Sequence, residues 1–334
     1  MRYASYTELA ERARRSGLVA RCAVAGAANA HALEAVYQAA DQGFVRPVLI
    51  GPADRTRALL AELGLDEQRA ELVDCAPEEN PAAVAVRLVR EGAVDFILKG
   101  GIETRDLLRP VLDKETGIND AGFVTHLGLM QIAGYPKLLA MSDAAVVPYP
   151  DLEAKAKIVR ITTEALRRLG IDTPVVAALA SIEVVNPKLP ETVEARELQE
   201  MSERGELGDC VVVGPISYDL ATSRESAAIK GYDSPYAGDV DMLLVPQMVT
   251  GNVMSKIWNA DERNILAGCL VGTRVPVALT SRSASSAEKL HSLLLCSLLG
   301  ASATDPTPVP AADPASEPAL VPATVPSGDA GSPE

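Results

Sequence analysis

Short apolar runs alternate with helical patterns along most of the chain, and this alternation strongly limits the folds available to it. Apolar runs at residues 19–25, 46–51 and 96–98 are predicted strands, and they alternate with predicted helices at residues 30–42 and 82–91. Further strands are predicted at residues 138–146, 175–180, 210–213, 242–245, 266–271 and 277–280. The strand runs do not alternate with polar residues, which is typical of parallel sheets covered by helices on both faces. The sequence therefore predicts an α/β fold with parallel or mixed sheets covered by helices.

The composition excludes several classes of partner. A net charge of −14 disfavours nucleic acid and anionic membrane surfaces, so an anionic small ligand would need a local basic site. The five cysteines are dispersed without a CxxC pair, and the three histidines are too far apart for zinc-ligand spacing. No apolar run reaches the roughly 18 residues of a membrane-spanning helix, and the N-terminus lacks a signal-peptide pattern. We therefore expect a soluble cytoplasmic protein with no metal site.

Residues 303–334 differ in character from the rest of the chain. They contain 8 of the 23 prolines and five acidic residues, but no lysine or arginine. Such a segment cannot bury enough apolar surface to offset the entropy lost on ordering. We predict a disordered tail, and we expect the 334-residue chain to form two core-bearing domains before it.

The turn at Ser281 and Arg282 is the first candidate site. It joins the predicted strand at residues 277–280 to a predicted helix at residues 287–299. A helix start presents free N–H groups and a positive dipole end, and an arginine can bind a phosphate through two hydrogen bonds. The same residues also fit an ordinary capped turn with a solvated arginine.

A second candidate site follows the strand at residues 96–98. Gly100 could let the backbone approach a ligand closely, Thr104 is placed as a helix N-cap, and Lys99 supplies positive charge. These residues predict a phosphate-binding loop. A glycine-rich turn followed by a capped helix is the alternative interpretation.

Two further strand ends carry polar residues. Ser142 and Asp143 interrupt the predicted strand at residues 138–146. An acid at the end of a buried run is often functional, and otherwise acts as a cap or turn residue. Gly251 and Asn252 follow another strand and lead into a predicted helix at residues 253–259. We count all four as candidate substrate-binding or phosphate-binding residues.

Nine short motifs occur along the chain. Each is weak alone, but nine of them in this order are a strong signal. They are Lys99-Gly100…Thr104, Gly134-Tyr135-Pro136-Lys137, Ser142-Asp143-Ala144-Ala145, Glu183-Val184-Val185-Asn186-Pro187-Lys188, Gly214-Pro215, Ile229-Lys230-Gly231, Ser234-Pro235-Tyr236-Ala237-Gly238-Asp239, Val245-Pro246 with Gly251-Asn252, and Thr280-Ser281-Arg282. Together they resemble the phosphate acetyl/butyryltransferase family, and its phosphate butyryltransferase branch in particular. The resemblance covers roughly residues 15–300.

The resemblance implies a two-domain fold shared with isocitrate and isopropylmalate dehydrogenases. Residues 1–138 and 272–302 would form one domain, and residues 139–271 the other. It also implies a homodimer that converts acyl-CoA and phosphate reversibly into acyl phosphate and CoA. These small molecules would be its substrates, without a tightly bound cofactor and with no nucleic acid or membrane partner.

The resemblance also assigns roles to particular residues. Ser281 and Arg282 match the pair that holds the acyl phosphate in this family and stabilises charge in the transition state. Glu288 stands where acetyltransferase relatives have an aspartate proposed to deprotonate the CoA thiol. The loop of Lys99, Gly100 and Thr104 matches a loop that faces the same cleft.

Two other functions remain open from the sequence. A metal- and nicotinamide-dependent decarboxylating dehydrogenase would need an aspartate cluster, and Asp239 and Asp241 are the only close aspartate pair in the second half. A non-catalytic paralogue that binds CoA or acyl phosphate is the other alternative. It is suggested by Gln247, which stands where the family often has an acid after Val245-Pro246, and by the turn after Arg282, which lacks the family's usual acid near Ala284.

Overall fold

A mixed β-sheet runs through the part of the chain that the computed structural model describes, which is residues 2–76, 78–279 and 286–301. Its eleven described strands are β1 Ala20–Ala25, β2 Val45–Gly51, β3 Glu71–Asp74, β4 Phe96–Lys99, β5 Thr125–Gln131, β6 Leu139–Ser142, β7 Val175–Leu179, β8 Val211–Ile216, β9 Met242–Leu244, β10 Ile265–Val271 and β11 Val277–Ala278. Their order across the sheet is β3-β2-β1-β4-β11-β10-β5-β6-β9-β7-β8. Ser281, Arg282 and the predicted tail at residues 303–334 lie outside the described residues.

The sheet consists of two parallel blocks joined by antiparallel strands. Strands β3, β2, β1, β4 and β11 form one parallel block, and β6, β9, β7 and β8 form the other. Between them, β10 is antiparallel to β11 and β5, and β5 is antiparallel to β6. The two blocks therefore point in opposite directions.

Helices cover this sheet, so the prediction of an α/β fold with a mixed sheet is confirmed. The described α-helices are α1 Tyr6–Ser16, α2 Ala30–Asp41, α3 Ala53–Glu62, α4 Pro81–Arg90, α5 Thr104–Val111, α6 Leu152–Arg168, α7 Pro190–Glu203, α8 Tyr218–Thr222, α9 Arg224–Lys230, α10 Met248–Asn259 and α11 Ser286–Gly300. Asn29 and Asp151 cap α2 and α6 as the sequence predicts, since their side chains accept the N–H groups of Ala32 and Ala154 at 3.0 and 2.8 Å.

Small and aliphatic side chains fill the core, in keeping with the 4% aromatic content. Cys22, Ala23 and Val24 of β1 have no exposed surface, because β1 lies between β2 and β4 and is covered on both faces. On α11, Leu293 and Leu295 are likewise fully buried. Burial on both faces of a parallel strand is the reason that the sequence shows continuous apolar runs there.

Strand β5 was not predicted from the sequence. Its residues Thr125, His126 and Gly128 interrupt the apolar positions, so no continuous apolar run marks it. It is nevertheless mostly buried, because it pairs with β10 on one side and β6 on the other. Pairing between distant segments overrides the weak local preference.

Three predicted boundaries that involve candidate site residues were wrong. The strand predicted at residues 138–146 ends at Ser142, because the side chain of Asp143 accepts the N–H groups of Ala145 and Val146 and forms a turn. Helix α10 begins at Met248, so Gly251 and Asn252 lie within its first turns. Helix α5 begins at Thr104 itself and its cap position is Glu103, so Thr104 is not the N-cap.

The predicted division into two domains stays a prediction. One parallel block comes wholly from residues 1–138 and 272–302, and the other wholly from residues 139–271. At the centre of the sheet, however, β10 lies between β11 and β5, both of which belong to the first predicted domain. The strands of the two predicted domains therefore interleave where the blocks meet.

A buried ion-pair cluster around Asp241 holds the N-terminal segment to the second block. The Asp241 side chain is 1% exposed and accepts hydrogen bonds from Arg2 Nε at 2.8 Å, Lys137 Nζ at 2.6 Å and the N–H of Val175 at 2.9 Å. Burial opposes its charged form, but the hydrogen bonds from Arg2 and Lys137 outweigh burial, so the pKa of Asp241 is lowered. Lys137 also pairs with Asp239.

We expect Asp241→Ala to lower the free energy of unfolding at pH 7 by about 3 kcal/mol, because it removes the carboxylate that Arg2, Lys137 and the N–H of Val175 share and leaves the buried Lys137 with the partly exposed Asp239. The folded-state pKa of Asp241 lies below its unfolded value, so this contribution is present above the ordinary aspartate range and is lost as the pH falls. Urea unfolding of both proteins at pH 7 and in acid measures the difference.

Asp261→Ala is the matched control, because the Asp261–Arg263 pair has the same 2.6 Å distance but is exposed. Exposed pairs contribute little, so this variant should unfold at nearly the wild-type urea concentration. Equal effects of the two substitutions would contradict the importance of the buried cluster.

Candidate functional site

A cavity of about 530 Å³ is lined by residues that follow strands of both blocks. Thr104 and Leu279 follow β4 and β11 of one block, and Ala144 follows β6 of the other. The full lining consists of Thr104, His126, Ala144, Ala145, Asn252, Ser255, Lys256, Asn259, Ala260, Leu266, Leu279 and Glu288. Carboxyl ends of strands are the usual ligand-binding edge of α/β sheets.

One face of α10 forms the polar wall of this cavity. Asn252, Ser255, Lys256 and Asn259 fall at the spacing that places residues on the same side of a helix, and all four line the cavity. Lys256 brings positive charge to a protein whose net charge is −14. Sequence reasoning does not predict Ser255, Lys256 and Asn259 as site residues. A helix that begins at Met248 would include Asn252, and the spacing of these three residues from Asn252 would then place all four on one face.

Gly251 fixes α10 against the turn after β6. A Cβ atom at this position would lie 2.9 Å from the carbonyl oxygen of Asp143 and 3.1 Å from the Cβ of Ala144. Asn252 Nδ2 donates to the carbonyl oxygen of Ala144 at 3.3 Å. The described contacts of Gly251 are thus with protein backbone and side chains, whereas Asn252 both holds the turn and lines the cavity.

Asp143 lies beneath the cavity and organises its floor. One carboxylate oxygen accepts from Thr125 Oγ1 at 2.7 Å and from the N–H of His126 at 2.9 Å. The other accepts from the N–H groups of Ala145 and Val146 at 2.7 and 2.8 Å. Asp143 has 2% of its surface exposed, and its described hydrogen bonds are all with protein groups.

Ser142 is also inside the protein. It has no exposed surface, and its Oγ donates to the carbonyl oxygen of His126 at 2.8 Å. The structure therefore places Ser142 and Asp143 next to the cavity but not on its surface.

The loop after β4 packs against the turn after β1. A Cβ atom on Gly100 would lie 2.3 Å from the carbonyl oxygen of Gly26, so only glycine fits between these two backbones. The N–H groups of Gly100 and Gly101 donate to the carbonyl oxygens of Ala25 and Gly26 at 2.9 and 2.8 Å. This packing positions Thr104 on the cavity wall, while Lys99 ends β4 just before the loop.

Glu288 lies in the first turn of α11 and lines the same cavity. The residues between Leu279 and α11 include Ser281 and Arg282, which lie outside the described residues. Of the candidate residues, Thr104, Asn252 and Glu288 are therefore the ones that the described structure brings together on the cavity surface.

His126 is a cavity residue that sequence reasoning missed. The histidines were considered only for zinc spacing, and β5, which carries His126, was not predicted. Its Nδ1 is buried and has no hydrogen-bond partner among the described residues. Burial lowers the pKa of His126, although the nearby Asp143 opposes this shift. No signal in a single sequence distinguishes this histidine from an ordinary buried one.

The aspartate pair considered for a metal is engaged with cations. Asp239 and Asp241 both contact Lys137, at 2.9 and 2.6 Å. Residues 2–76, 78–279 and 286–301 contain no group of three or more His, Cys, Asp or Glu side chains suited to a metal ion. Within the same ranges, no helix is long and apolar enough to cross a membrane.

Comparison with known proteins identifies the family. The family model for phosphate acetyl/butaryl transferase matches residues 76–296. A phosphate butyryltransferase from Clostridium acetobutylicum is 36% identical over 84% of this chain and 93% of its own length. A phosphate acetyltransferase from Thermotoga maritima is 36% identical over 86% of this chain and 97% of its own length.

A solved structure shows the same relationship in three dimensions. The crystal structure of a branched-chain phosphotransacylase from Enterococcus faecalis aligns with a TM-score of 0.75 and 30% identity, covering 84% of this chain and 99% of that one. The chain therefore belongs to the phosphate acetyl/butaryl transferase family of acyltransferase enzymes.

Proposed function

We propose that this protein transfers a short-chain acyl group reversibly between CoA and inorganic phosphate. The observation that carries the proposal is 36% identity, over most of the chain, to both a phosphate butyryltransferase and a phosphate acetyltransferase. The cavity fits this chemistry, because Lys256 and Asn252 can bind anionic or polar groups while Leu266 and Leu279 offer apolar contacts to an acyl chain. Acyl-CoA and phosphate are then its substrates, with no tightly bound cofactor.

The proposed reaction requires the protein to position its two substrates, and it requires no covalent enzyme intermediate. In the direction of acyl phosphate formation, a phosphate oxygen attacks the thioester carbonyl carbon, the new C–O bond forms and the C–S bond breaks. The electron pair leaves with sulfur, and a proton on Glu288 converts the thiolate to the thiol. In reverse, the Glu288 carboxylate takes the thiol proton and the thiolate attacks the acyl phosphate.

Ser281 and Arg282 complete the proposed site. They lie in sequence between Leu279 and Glu288, both of which line the cavity. We assign them to the acyl phosphate, where Arg282 would bind phosphate oxygens through two hydrogen bonds and Ser281 would supply a hydroxyl. Lys99 ends β4, five residues before Thr104 of the cavity lining, and we assign its charge to the same substrate.

The other candidate residues take different roles in this proposal. Thr104 and Asn252 contact the substrate, since both line the cavity. Gly100 and Gly251 let the walls pack closely enough to hold it. Ser142 and Asp143 support the floor from beneath, because neither is exposed enough to touch a ligand.

A homodimer in the cytoplasm is the proposed working state. Val249, Val253 and Ile257 form an apolar stripe on the outer face of α10 and are 53%, 49% and 65% exposed. Such a stripe suits a second copy of the chain. The five cysteines are all unpaired, which fits a reducing compartment.

The activity is tested by mixing purified protein with butyryl-CoA and phosphate and following free thiol with a thiol reagent. We expect CoA release that requires phosphate. Acetyl-CoA and propionyl-CoA belong in the same experiment, since the relatives differ in their acyl groups. Absence of phosphate-dependent release with all three substrates would sink the proposed function, and CoA binding without turnover would favour a non-catalytic paralogue.

Arg282→Ala should remove most of the activity without loss of the fold, because the site then lacks its phosphate-binding guanidinium. The steady-state rate of CoA release and the thermal unfolding midpoint measure the two effects. Arg204→Ala is the matched control, since Arg204 is exposed at the end of α7 and pairs with Glu206. Unchanged kinetics in Arg282→Ala would remove Arg282 from the site.

Glu288→Gln should lower kcat by about 10²–10⁴-fold, since the amide cannot exchange a proton with the CoA thiol. Glu288→Asp should keep part of the activity, because it preserves the carboxylate on a shorter side chain. Glu203→Gln, at the exposed end of α7, is the control for the chemical change. The role of Glu288 as the base is wrong if Glu288→Gln retains the wild-type kcat.

A further inference from the structure

His126 is the one cavity histidine in the described part of the chain, and the catalytic scheme above gives it no task. Its Nδ1 is buried and has no hydrogen-bond partner among the described residues. A buried polar nitrogen without a partner costs stability, so its retention calls for an explanation outside the fold itself. Nδ1 itself is enclosed by protein, so a ligand in the cavity that the imidazole lines would contact the ring at Nε2 instead.

The protein holds the His126 ring in place from two directions. Its backbone N–H donates to Asp143, which fixes the start of β5. On the other side, the ring lies directly over Gly268 of β10, where a Cβ atom would come within 2.5 Å of Nε2 and 2.9 Å of Cε1. The absence of a side chain at Gly268 therefore creates the space that the imidazole occupies.

Strand β10 also contacts α11, the helix that carries Glu288, the proposed base. The N–H of Gly268 donates to Ser292 Oγ at 3.1 Å. Ser292 lies four residues after Glu288 on α11, which puts both on one face of that helix. His126 and Glu288 thus line one cavity and are tied to a common framework of β10 and α11.

The protonation state suits a donor of hydrogen bonds. Because burial lowers the pKa of His126 below its ordinary value, the ring is neutral at pH 7 and offers one N–H donor and one acceptor nitrogen. A neutral imidazole can stabilise a developing oxyanion without bringing a formal charge into the cavity. A phosphate dianion would instead be matched by cations such as Lys256.

We propose that His126 is a catalytic residue that donates a hydrogen bond to the carbonyl oxygen of the acyl group. The proposal rests on the proposed acyltransferase function. As a nucleophile adds to the carbonyl carbon, the C=O electron pair moves to oxygen, and the imidazole N–H stabilises that charge. When the C–S or C–O bond breaks, the pair returns and the carbonyl re-forms, so His126 neither gains nor loses a proton.

The experiment compares His126→Ala and His126→Gln in the phosphate-dependent CoA release assay. We expect His126→Ala to lower kcat by about 10²–10³-fold, the usual effect of removing one oxyanion donor, with the KM for phosphate unchanged. His126→Gln keeps a neutral N–H donor and should recover part of this loss. Equal activity of His126→Ala and wild type, or a change confined to the KM for phosphate, would overturn the proposal.

The glutamine variant also separates this role from that of a general base. Glutamine cannot take a proton, so a base at His126 predicts that His126→Gln is as inactive as His126→Ala. His291→Gln is the matched control, because His291 is partly buried and its Nδ1 lies 2.6 Å from the carbonyl oxygen of Ala287, outside the cavity lining. It should keep the wild-type kcat.

Gly268→Ala tests the positioning of the ring. The added methyl would displace the imidazole, so we expect kcat to fall while far-ultraviolet circular dichroism stays unchanged. In the His126→Ala background the same substitution should have almost no further effect, because the imidazole that it would displace is gone. Additive losses in the double variant would contradict the proposed role of Gly268.

Failure of this proposal is distinguishable from failure of the proposed function. If the wild-type protein releases CoA with phosphate and His126→Ala does so equally well, only the role of His126 is wrong. If the wild-type protein shows no phosphate-dependent release with any acyl-CoA, both proposals fail. Thermal unfolding of each variant shows whether a loss of kcat reflects loss of the folded state.

Discussion

The Asp143 carboxylate is the interaction on which the arrangement of the cavity depends. Four donors converge on it, from Thr125, the backbone of His126, and the backbone of Ala145 and Val146. These bonds end β6, set the turn that forms the cavity floor and fix the start of β5. Since hydrogen bonds to a buried carboxylate are individually stronger than neutral ones, this one residue holds its own turn, residues 143–146, to the start of β5, 17 residues earlier in the sequence.

Around that floor, the two strand blocks contribute different chemistry. The block that contains β4 and β11 supplies Thr104 and leads through Leu279 towards Glu288. The block that contains β6 and β9 leads into α10, which brings amides, a hydroxyl and Lys256. A protein with a net charge of −14 can thus present a local positive group to an anionic substrate without being basic overall.

Sequence reasoning predicted those parts of the fold whose burial leaves a continuous apolar run, such as β1 and β4. It also placed Thr104, Asn252 and Glu288 near strand ends or helix starts, where they now line one cavity. The predicted roles of Ser142 and Asp143 show the limit of this reasoning, because a buried structural polar residue and a ligand-binding one look alike in sequence. His126 could not be predicted, since its place depends on the pairing of β5 with β10 and on the missing side chain of Gly268. The roles of Ser281 and Arg282 remain predictions, as does the division into domains.

The opposite directions of the two strand blocks have a mechanical consequence. The walls of the cavity belong to different blocks, and within the sheet the blocks are joined through β10 and β5, which pair over seven residues. Any bending of the sheet along this pair of strands changes the separation between Thr104 and Asn252 without breaking a helix. The stiffness of backbone pairing at the centre of the sheet is therefore one determinant of the width of the cavity, beside the packing of α6 against α11.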